Sequence, residues 1–296
     1  MSDAWDMPSK PGAGTRPRCV LDTDTYNEID DQFALAYLVR SSDRVETEAI
    51  YAAPFVNSRA ATAAEGMERS YEEIERLLSR LDSSDLAHAR GSAAFLSETG
   101  KPAESQAATD LVERAMSATH SDRLVVIGIG ALTNIASALL LEPEITERIA
   151  VVWLGGHHPS WPDQREFNLT GDIRATQVVF DSGAPLYVVP ALGVASHLLT
   201  CREELAAHLD MGSPLASFLY ERFAEYGSDG VWAKEIWDIS AVAWLVLPDA
   251  VKSYAQATPR VAADGSYIID PRRPPCRFAY QLDRNEIFRD LFGRLA

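Results

Sequence analysis

The sequence predicts an α/β fold, a doubly wound and mostly parallel sheet flanked by helices. Short β-type apolar runs alternate along the chain with longer segments of helical periodicity, in βαβα order. No linker or internal repeat interrupts this alternation, and 296 residues, of which 47% are hydrophobic, can bury a large core. We therefore expect a single domain over residues 17–296, with ligands bound beyond the carboxyl ends of the strands.

Each predicted element rests on a local pattern. The strands are apolar runs that end in aspartate, glycine or a turn, and the helices have amphipathic or continuous apolar periodicity. In chain order, strand 18–21 precedes helix 30–39, strand 47–52 precedes the long amphipathic helix 58–81, and helix 105–117 precedes strand 123–130, which glycines close. Next come a helix beginning at Leu132, strand 149–154 ending at a double glycine, strand 186–189, and helical stretches over 202–226 and 240–247.

Composition argues against several classes of partner and location. A net charge of -16 and a pI near 4.8, without a Lys/Arg-dense face, disfavour nucleic acid and anionic membranes. Cys19, Cys201 and Cys276 have neither paired nor metal-type spacing, and no apolar run reaches the length of a signal peptide or membrane span. These features predict a soluble, reduced, cytoplasmic protein. Residues 1–16 are rich in Pro, Gly, Ser and Asp and are predicted to form a disordered tail.

An acidic cluster surrounds the first strand-to-helix turn. Asp22 and Asp24 lie two apart at the end of a strand and so point to one side, while Asp30 and Asp31 open the next helix, with Glu28 between the pairs. Carboxylates converging in a partly dry cleft repel one another, and an oxygen-seeking ion such as Ca²⁺ turns that repulsion into coordination. The alternative is that these acids only cap the helix or the loop, which accounts for one or two of them.

Other polar residues follow strands that end at the same edge of the predicted sheet. Gly128–Gly130 and Gly155-Gly156 close two such strands, and Glu166 and Asn168 follow the second of them. A carboxylate that accepts and a carboxamide that both accepts and donates hydrogen bonds suit the neighbouring hydroxyls of a sugar. Asp238 begins an apolar helix, where a capping role is the simplest interpretation.

In this order, the motifs resemble the nucleoside hydrolases of the inosine/uridine-preferring type. That family carries Asp-x-Asp at the end of its first strand and then Asp-Asp-x-x-Ala, as in Asp22-Thr-Asp24 and Asp30-Asp31-Gln-Phe-Ala34. The resemblance extends from about residue 17 to the terminus. It includes segments 130–136 and 141–144, Leu154-Gly-Gly156, Glu166-Phe-Asn168 with Asp172, and the closing segment 280–292.

The resemblance implies a Rossmann-like nucleoside hydrolase fold and a homodimer or homotetramer. It implies Ca²⁺-dependent hydrolysis of the N-glycosidic bond of a ribonucleoside to ribose and free base, as in nucleoside catabolism and purine salvage. Asp30 would be the general base for the attacking water, at an oxocarbenium-like transition state without a covalent intermediate. The metal ligands would be the side chains of Asp24, Asp31 and Asp238 and the carbonyl of Ile129; Asn57, Glu166 and Asn168 would hold the ribose, with Asp22 in support.

This chain departs from the family pattern at two places. The link from Asp24 to Asp30 has five residues, Thr-Tyr-Asn-Glu-Ile, where the family usually has three. Trp237 precedes Asp238 at the place where many members carry a histidine that protonates the leaving base. A tryptophan there resembles the purine-preferring branch, in which an aromatic ring stacks on the base. The alternative is a core aromatic residue at a helix start.

Histidines elsewhere are candidates for the missing acid. His157 and His158 follow the double glycine, so either could contact the substrate, the alternative being a solvated loop histidine. His197 lies near an Asp-x-Thr-His stretch of the family, but the aspartate is missing here.

Two other functions compete with a nucleoside hydrolase. Leu21-Asp-Thr-Asp-Thr25 also fits the opening motif of the haloacid-dehalogenase-like phosphatases, with Mg²⁺ as the ion and Asp22 as nucleophile. That hypothesis leaves Asp30, Asp31 and the Trp237-Asp238 pair without roles. A protein that binds ribose or a nucleoside without turnover is the third possibility. Release of phosphate, release of ribose or tight binding without release discriminates among the three.

Overall fold

The computed structural model describes residues 16–227 and 232–296. The predicted tail lies outside the described residues except for Arg16. The strands are β1 Arg18–Thr23, β2 Glu46–Ala52, β3 Ala87–Arg90, β4 Leu124–Gly128, β5 Ile149–Leu154, β6 Leu186–Val189, β7 Leu199–Thr200, β8 Lys234–Glu235, β9 Val251–Ala257, β10 Arg260–Val261, β11 Tyr267–Ile268 and β12 Pro275–Leu282. The α-helices are α1 Ile29–Val39, α2 Ala63–Arg80, α3 Leu96–Thr99, α4 Gln106–Ser117, α5 Thr133–Leu141, α6 Phe167–Gly171, α7 Ile173–Asp181, α8 Arg202–His208, α9 Pro214–Ala224, α10 Ile239–Val246 and α11 Arg284–Leu295.

Eight strands form the central sheet, in the order β3-β2-β1-β4-β5-β6-β12-β9. Neighbouring strands are parallel except at the edge, where β9 runs antiparallel to β12. This confirms the predicted mostly parallel α/β fold. From β1 the chain adds strands first on one side and then, from β4, on the other. The carboxyl ends of β1 and β4 therefore form a topological switch point, where doubly wound sheets bind ligands.

Burial explains why the central strands read as continuous apolar runs. Every residue of β4 and β5 is buried, because helices cover both faces of a parallel sheet. Helix α1 is buried from Ile29 to Leu38 and packs against α10, which is buried along its whole length. Two helices that open with acidic residues are thus held together in the core beside the switch point.

The structure differs from the sequence predictions in helix boundaries and short strands. The stretch 202–226 contains two helices, because Ser213 caps the second one and Pro214 occupies its first turn. The helix predicted from residue 58 begins at Ala63, since Thr62 is its cap and Asn57 and Ala60 form a β-bridge before it. Strands β3, β7, β8, β9, β10 and β11 were not predicted. No helix in the described ranges is long and apolar enough to cross a membrane.

Candidate active site

A cavity of about 330 Å³ opens at the switch point, within the size range of small-molecule sites. Its walls come from the loop after β1, the starts of α1 and α10, the residue after β4 and the start of α6. The lining residues are Asp24, Asn27, Glu28, Asp30, Asp31, Asn57, Ile129, Glu166, Phe167, Asn168, Trp237 and Asp238. Nine of these are predicted site residues, so the fold brings together groups that are up to 214 positions apart in the sequence.

Three buried carboxylates converge inside this cavity. One oxygen from each of Asp30, Asp31 and Asp238 lies within 4.8 Å of the others. Asp24 is equally buried, and neither of its carboxylate oxygens has a hydrogen-bond partner among the described residues. Capping does not use these groups. Glu28 is the N-cap of α1 and Asp238 that of α10, and neither side chain makes a capping hydrogen bond.

The electrostatics of the cluster favour binding of a cation, because the buried carboxylates can ionise together only when a positive charge compensates them. Burial, and then the negative charge of the neighbouring carboxylates, raises the pKa values of Asp24, Asp31 and Asp238 well above the usual range. Burial also raises the pKa of Asp30 to about 7, although the positive charge of Lys234 opposes that rise. Unpaired buried oxygens are rare in folded proteins. The unpartnered oxygens of Asp24 and Asp30 are therefore the structural sign of a cation site.

The residues present fit a hard cation. Asp24, Asp31 and Asp238 supply carboxylate oxygens, and Ile129, directly after β4, lines the same cavity with a backbone carbonyl to offer. This donor set contains oxygen alone, which suits Ca²⁺ or Mg²⁺ better than a metal that prefers nitrogen or sulfur ligands. The Ile129 carbonyl already accepts a hydrogen bond of 3.0 Å from the Asn168 amide, which leaves it one lone pair.

Glu166 and Asn168 line the same cavity with restricted hydrogen-bonding capacity. The carboxylate of Glu166 accepts the backbone N–H groups of Gly156, Asn168 and Leu169 at 2.9–3.1 Å, which fixes its position. The Asn168 amide donates both hydrogens, to the carbonyls of Ile129 and Leu154. Asn168 therefore offers the cavity only its Oδ1 as an acceptor, whereas the sequence suggested both donor and acceptor roles. Both residues can accept hydrogen bonds from hydroxyl groups.

Asn57 and Trp237 also line the cavity. The Asn57 amide donates to Oδ1 of Asn27 at 2.7 Å, while its own Oδ1 accepts the backbone N–H of Arg59. Asn57 therefore stabilises a turn and does not cap α2. Trp237 lines the cavity and also packs partly buried against the core, so each of the two interpretations describes one part of its surroundings.

Two predicted residues lie outside the cavity lining. Asp22 is buried and accepts a hydrogen bond of 2.7 Å from Asn134, a position that fits its expected supporting role. Nδ1 of His157 accepts the backbone N–H of Leu192 at 3.2 Å. Both nitrogens of His197 lie against backbone carbonyls, and His158 contacts Ser160 and Tyr254.

Three cavity residues had no predicted role in the site, namely Asn27, Phe167 and Glu28, although Glu28 belonged to the predicted acidic cluster. Asn27 and Glu28 belong to the lengthened link between Asp24 and Asp30, and a loop between two groups of site residues is itself a signal. Phe167 stands between Glu166 and Asn168 and is 42% exposed although it is apolar.

Comparisons with known proteins agree with this architecture. The family model for inosine-uridine preferring nucleoside hydrolases matches residues 19–289. The pyrimidine-specific ribonucleoside hydrolase RihA of Salmonella typhi is 26% identical over 190 residues, which cover 58% of this chain and 61% of that protein. The corresponding RihA of Escherichia coli O9:H4 (strain HS) is 25% identical over 193 residues, covering 59% and 62%. The chain thus spans less than two thirds of these curated relatives.

Solved structures of nucleoside hydrolases share the fold. The plant nucleoside hydrolase PpNRh1 superposes with a TM-score of 0.78 at 18% identity, over 95% of this chain and 99% of that one. The purine-preferring ribonucleoside hydrolase from Gardnerella vaginalis superposes with a TM-score of 0.75 at 21% identity, over 94% of this chain and 98% of that one. The extent of the family match leaves no room for the phosphatase hypothesis. This chain belongs to the inosine-uridine preferring nucleoside hydrolase family.

Proposed function

We propose that this protein is a Ca²⁺-dependent hydrolase of the N-glycosidic bond of ribonucleosides, with purine nucleosides preferred. One observation carries the proposal. At the switch point of the sheet, buried carboxylates with unpartnered oxygens share the lining of one cavity of about 330 Å³ with Glu166 and Asn168. The ribonucleoside hydrolase activity of the curated relatives adds support, but the chain spans too little of their length for that activity to transfer directly.

Asp30 is the proposed general base. Its Oδ1 is buried in the cavity without a hydrogen-bond partner among the described residues, so it is free to accept a proton from the attacking water. The start of α1 fixes its backbone, and its carboxylate lies beside those of Asp31 and Asp238. Ca²⁺, when bound by Asp24, Asp31, Asp238 and the Ile129 carbonyl, would acidify the water and orient the ribose hydroxyls.

The ribose would bind against Glu166 and Asn168. Both amide hydrogens of Asn168 are already donated to backbone carbonyls, so its Oδ1 is the atom that remains to accept a hydrogen bond from a hydroxyl group. The Glu166 carboxylate uses three of its roughly four acceptor sites on backbone N–H groups, which leaves one for a second hydroxyl. Two acceptors held by the fold select a sugar with neighbouring donors. Asn57 and His157 remain proposed contacts, and Asp22 a proposed supporting group.

The base would bind against Trp237. Its ring lines the cavity next to the Asp238 carboxylate, so a flat heterocycle attached to the bound ribose can stack on it. A bicyclic purine covers more of an indole than a pyrimidine does, and this larger contact is the reason for the proposed preference. The pyrimidine-specific relatives supply the competing expectation.

A reducing-sugar assay on a panel of ribonucleosides tests the proposal directly. We expect purine ribonucleosides to release ribose, a chelator to abolish release, and added Ca²⁺ to restore it. Tight nucleoside binding without sugar release over hours would identify a binding protein instead. Restoration by Mg²⁺ alone would replace the proposed ion, and faster cleavage of pyrimidine nucleosides would reverse the preference. We also propose a cytoplasmic homodimer or homotetramer, which light scattering and cell fractionation can examine.

A further inference from the structure

One positive side chain stands directly behind the cavity wall. The cavity lining includes neither lysine nor arginine nor histidine among the described residues. Lys234, however, places its Nζ 2.6 Å from Oε2 of Glu28, which does line the cavity. The positive charge of Lys234 also opposes the rise in the pKa of Asp30, and this effect is larger than the opposite effect of the negative charge of Glu28. The ammonium group therefore lies within electrostatic range of the reacting centre.

The position of Lys234 is fixed by its surroundings. Its side chain is 13% exposed, and its Nζ lies 5.2 Å from the centroid of the Tyr226 ring, a cation–π distance. Its backbone belongs to β8, which pairs with β7 through Thr200 and Lys234. The next residue but one, Ile236, donates its N–H to the carbonyl of Leu198 at 2.9 Å. A lysine held in this way places its positive charge at a fixed position, unlike a lysine that moves freely in solvent.

An arginine extends this positive region at the same end of the cavity. The guanidinium of Arg59 lies 5.6 Å from the ring centroid of Tyr26 and 5.1 Å from that of Tyr226. Asn57, two residues before Arg59, lines the cavity. Two cations therefore flank Tyr226, whose own electrostatic neighbours include Glu28 and Asp30.

Glycosidic cleavage creates a need that this region can meet. When the bond from C1′ to the base nitrogen breaks, the electron pair goes to the base, which leaves as an anion unless it is protonated. A nearby positive charge stabilises that anion. Trp237 stands where many family members have a histidine, and His157, His158 and His197 have other contacts outside the cavity lining. Lysine has three N–H donors, and Glu28 takes one of Lys234's. The positive charge of Lys234 can act on a departing base across the cavity wall to which Glu28 belongs.

We propose that Lys234, positioned by Glu28 and Tyr226, stabilises the departing base electrostatically, and that this selects ribonucleosides with oxo-substituted bases. The inference rests on the proposed function. In an oxo-substituted base such as hypoxanthine, the negative charge is delocalised onto a carbonyl oxygen, where the positive charge of an ammonium group can stabilise it. An amino-substituted base such as adenine lacks that oxygen and depends more on protonation before it leaves.

The step balances without any further reactant. The bond from water oxygen to C1′ forms, the bond from C1′ to the base nitrogen breaks, and Asp30 accepts the proton of the water. The base takes the electron pair and is protonated by solvent after it leaves. Lys234 keeps its proton throughout, so its role is that of a positioned charge and not of a proton donor.

The decisive experiment compares three substrates in Lys234→Met, Lys234→Arg and the control Lys252→Met, which removes an exposed lysine on strand β9. The substrates are inosine, adenosine and p-nitrophenyl riboside, whose leaving group is stable as an anion without help. We expect Lys234→Met to lower kcat on inosine by about 10²-fold, the scale on which one electrostatic group acts at a developing charge. On p-nitrophenyl riboside the loss should stay within about 3-fold, because that leaving group needs little stabilisation.

The design separates the leaving group from other effects of the charge. Loss of Lys234 also removes a positive neighbour of Asp30 and so raises the pKa of that carboxyl group further, but a less ionised general base slows every substrate and shifts each pH–rate profile alike. Only an effect on the base changes the ratio of kcat on inosine to kcat on p-nitrophenyl riboside. In Lys234→Arg this ratio should stay close to the wild-type value, since arginine retains the positive charge. In Lys234→Met the wild-type preference for inosine over adenosine should shrink.

Failure of this inference differs from failure of the proposed function. Wild-type protein that cleaves none of the three substrates defeats the proposed function and this inference with it. Active wild type with equal losses on inosine and p-nitrophenyl riboside in folded Lys234→Met, or with no loss at all, overturns the role of Lys234 alone. A wild-type enzyme that cleaves adenosine as fast as inosine overturns the proposed selection of oxo-substituted bases.

Discussion

Asn134 donates its side-chain N–H to Oδ1 of Asp22 at 2.7 Å and thereby ties helix α5 to strand β1 at the switch point. The same amide donates to the carbonyl of Ala52 at 3.1 Å, and its Oδ1 accepts the N–H of Ser92 at 2.8 Å. Gly91 passes so close that a Cβ there would lie 2.4 Å from the Asn134 amide nitrogen. One side chain thus joins three segments beneath the acidic cluster.

The substitution Asn134→Ala should therefore lower the free energy of unfolding. It leaves Oδ1 of Asp22 and the Ser92 N–H buried without partners, and each unsatisfied group costs about 1–3 kcal/mol, so we expect a loss of about 2–6 kcal/mol. Urea denaturation measures it. Asn285→Ala, at an exposed helical position, serves as the control and should change stability little. Equal stability of the two variants would show that the network around Asp22 contributes nothing.

The buried acids predict how the stability of the chelated protein depends on pH. Burial raises the pKa values of Asp22, Asp30 and Glu166 to about 7, above their values in the unfolded chain near 4. The folded state therefore binds more protons than the unfolded state between these limits, and the free energy of unfolding falls as the pH rises through them. With a chelator present, the melting temperature should be lower at pH 8 than at pH 5.5.

Added Ca²⁺ should reverse this trend, because ion binding requires ionised carboxylates and becomes stronger as the pH rises. The stabilisation by Ca²⁺ should thus be larger at pH 8 than at pH 5.5. The net charge of -16 also destabilises the fold at high pH, so the comparison needs about 0.5 M NaCl, which screens exposed charges and leaves buried ones little affected. A chelated protein whose melting temperature rises between pH 5.5 and pH 8 would contradict the assigned burial of these acids.

The substitution Asp30→Asn should separate catalysis from binding. The amide retains the size of the side chain but cannot accept a proton from water, so kcat should fall by about 10²–10⁴-fold while nucleoside binding persists. Steady-state kinetics and calorimetric titration with a nucleoside measure the two effects. Asp85→Asn, which changes an exposed acid, should behave as wild type. Turnover near the wild-type rate in Asp30→Asn would remove Asp30 from the mechanism.

By contrast, Asp238→Ala should lose the ion itself. It deletes one carboxylate of a cluster whose members lie within 4.8 Å, and the remaining acids repel one another without compensation. Metal analysis of the purified variant should show little bound Ca²⁺, whereas Asp30→Asn should retain most of it. The same occupancy in wild type and in Asp238→Ala would refute the proposed ligand set.

Local patterns were sufficient to predict most of the large elements and the acidic cluster. Apolar runs predicted β5 and β6 to the residue. The charge density around the β1–α1 turn predicted a cluster that includes Asp24, Asp30 and Asp31, which line one cavity, whereas Asp238 was assigned to it only through the family resemblance. Short strands such as β7 and β8 have two residues each, too few for periodicity to register. Their pairing depends on segments that only the folded chain brings together.

Contacts between distant residues escaped prediction for the same reason. Lys234 and Glu28 are 206 positions apart, and no local signal connects them. The split of the stretch 202–226 was readable in principle, since Ser213 and Pro214 form a helix start. The donor capacity of Asn168 depends on two carbonyls that the sequence cannot place near it.

The position of Trp237 beside the acidic cluster leads to the last prediction. If its ring stacks on the base, Trp237→Ala should reduce the cleavage of purine nucleosides by about 10-fold or more and largely spare p-nitrophenyl riboside, whose leaving group needs no activation. The ratio of the two rates is the measurement. Trp237 also packs against the core, so its removal costs stability, and the melting curve must show a folded variant.

Trp161→Ala is the matched control, because Trp161 is 41% exposed and does not line the cavity. It should leave both rates unchanged. Equal losses on purine nucleosides and p-nitrophenyl riboside in a folded Trp237→Ala variant would indicate a packing defect that disturbs the whole cavity, because a defect of that kind does not discriminate between leaving groups. The stacking role would then be excluded, and the purine preference would need another origin in the cavity wall, where Phe167 is the remaining aromatic side chain among the described lining residues.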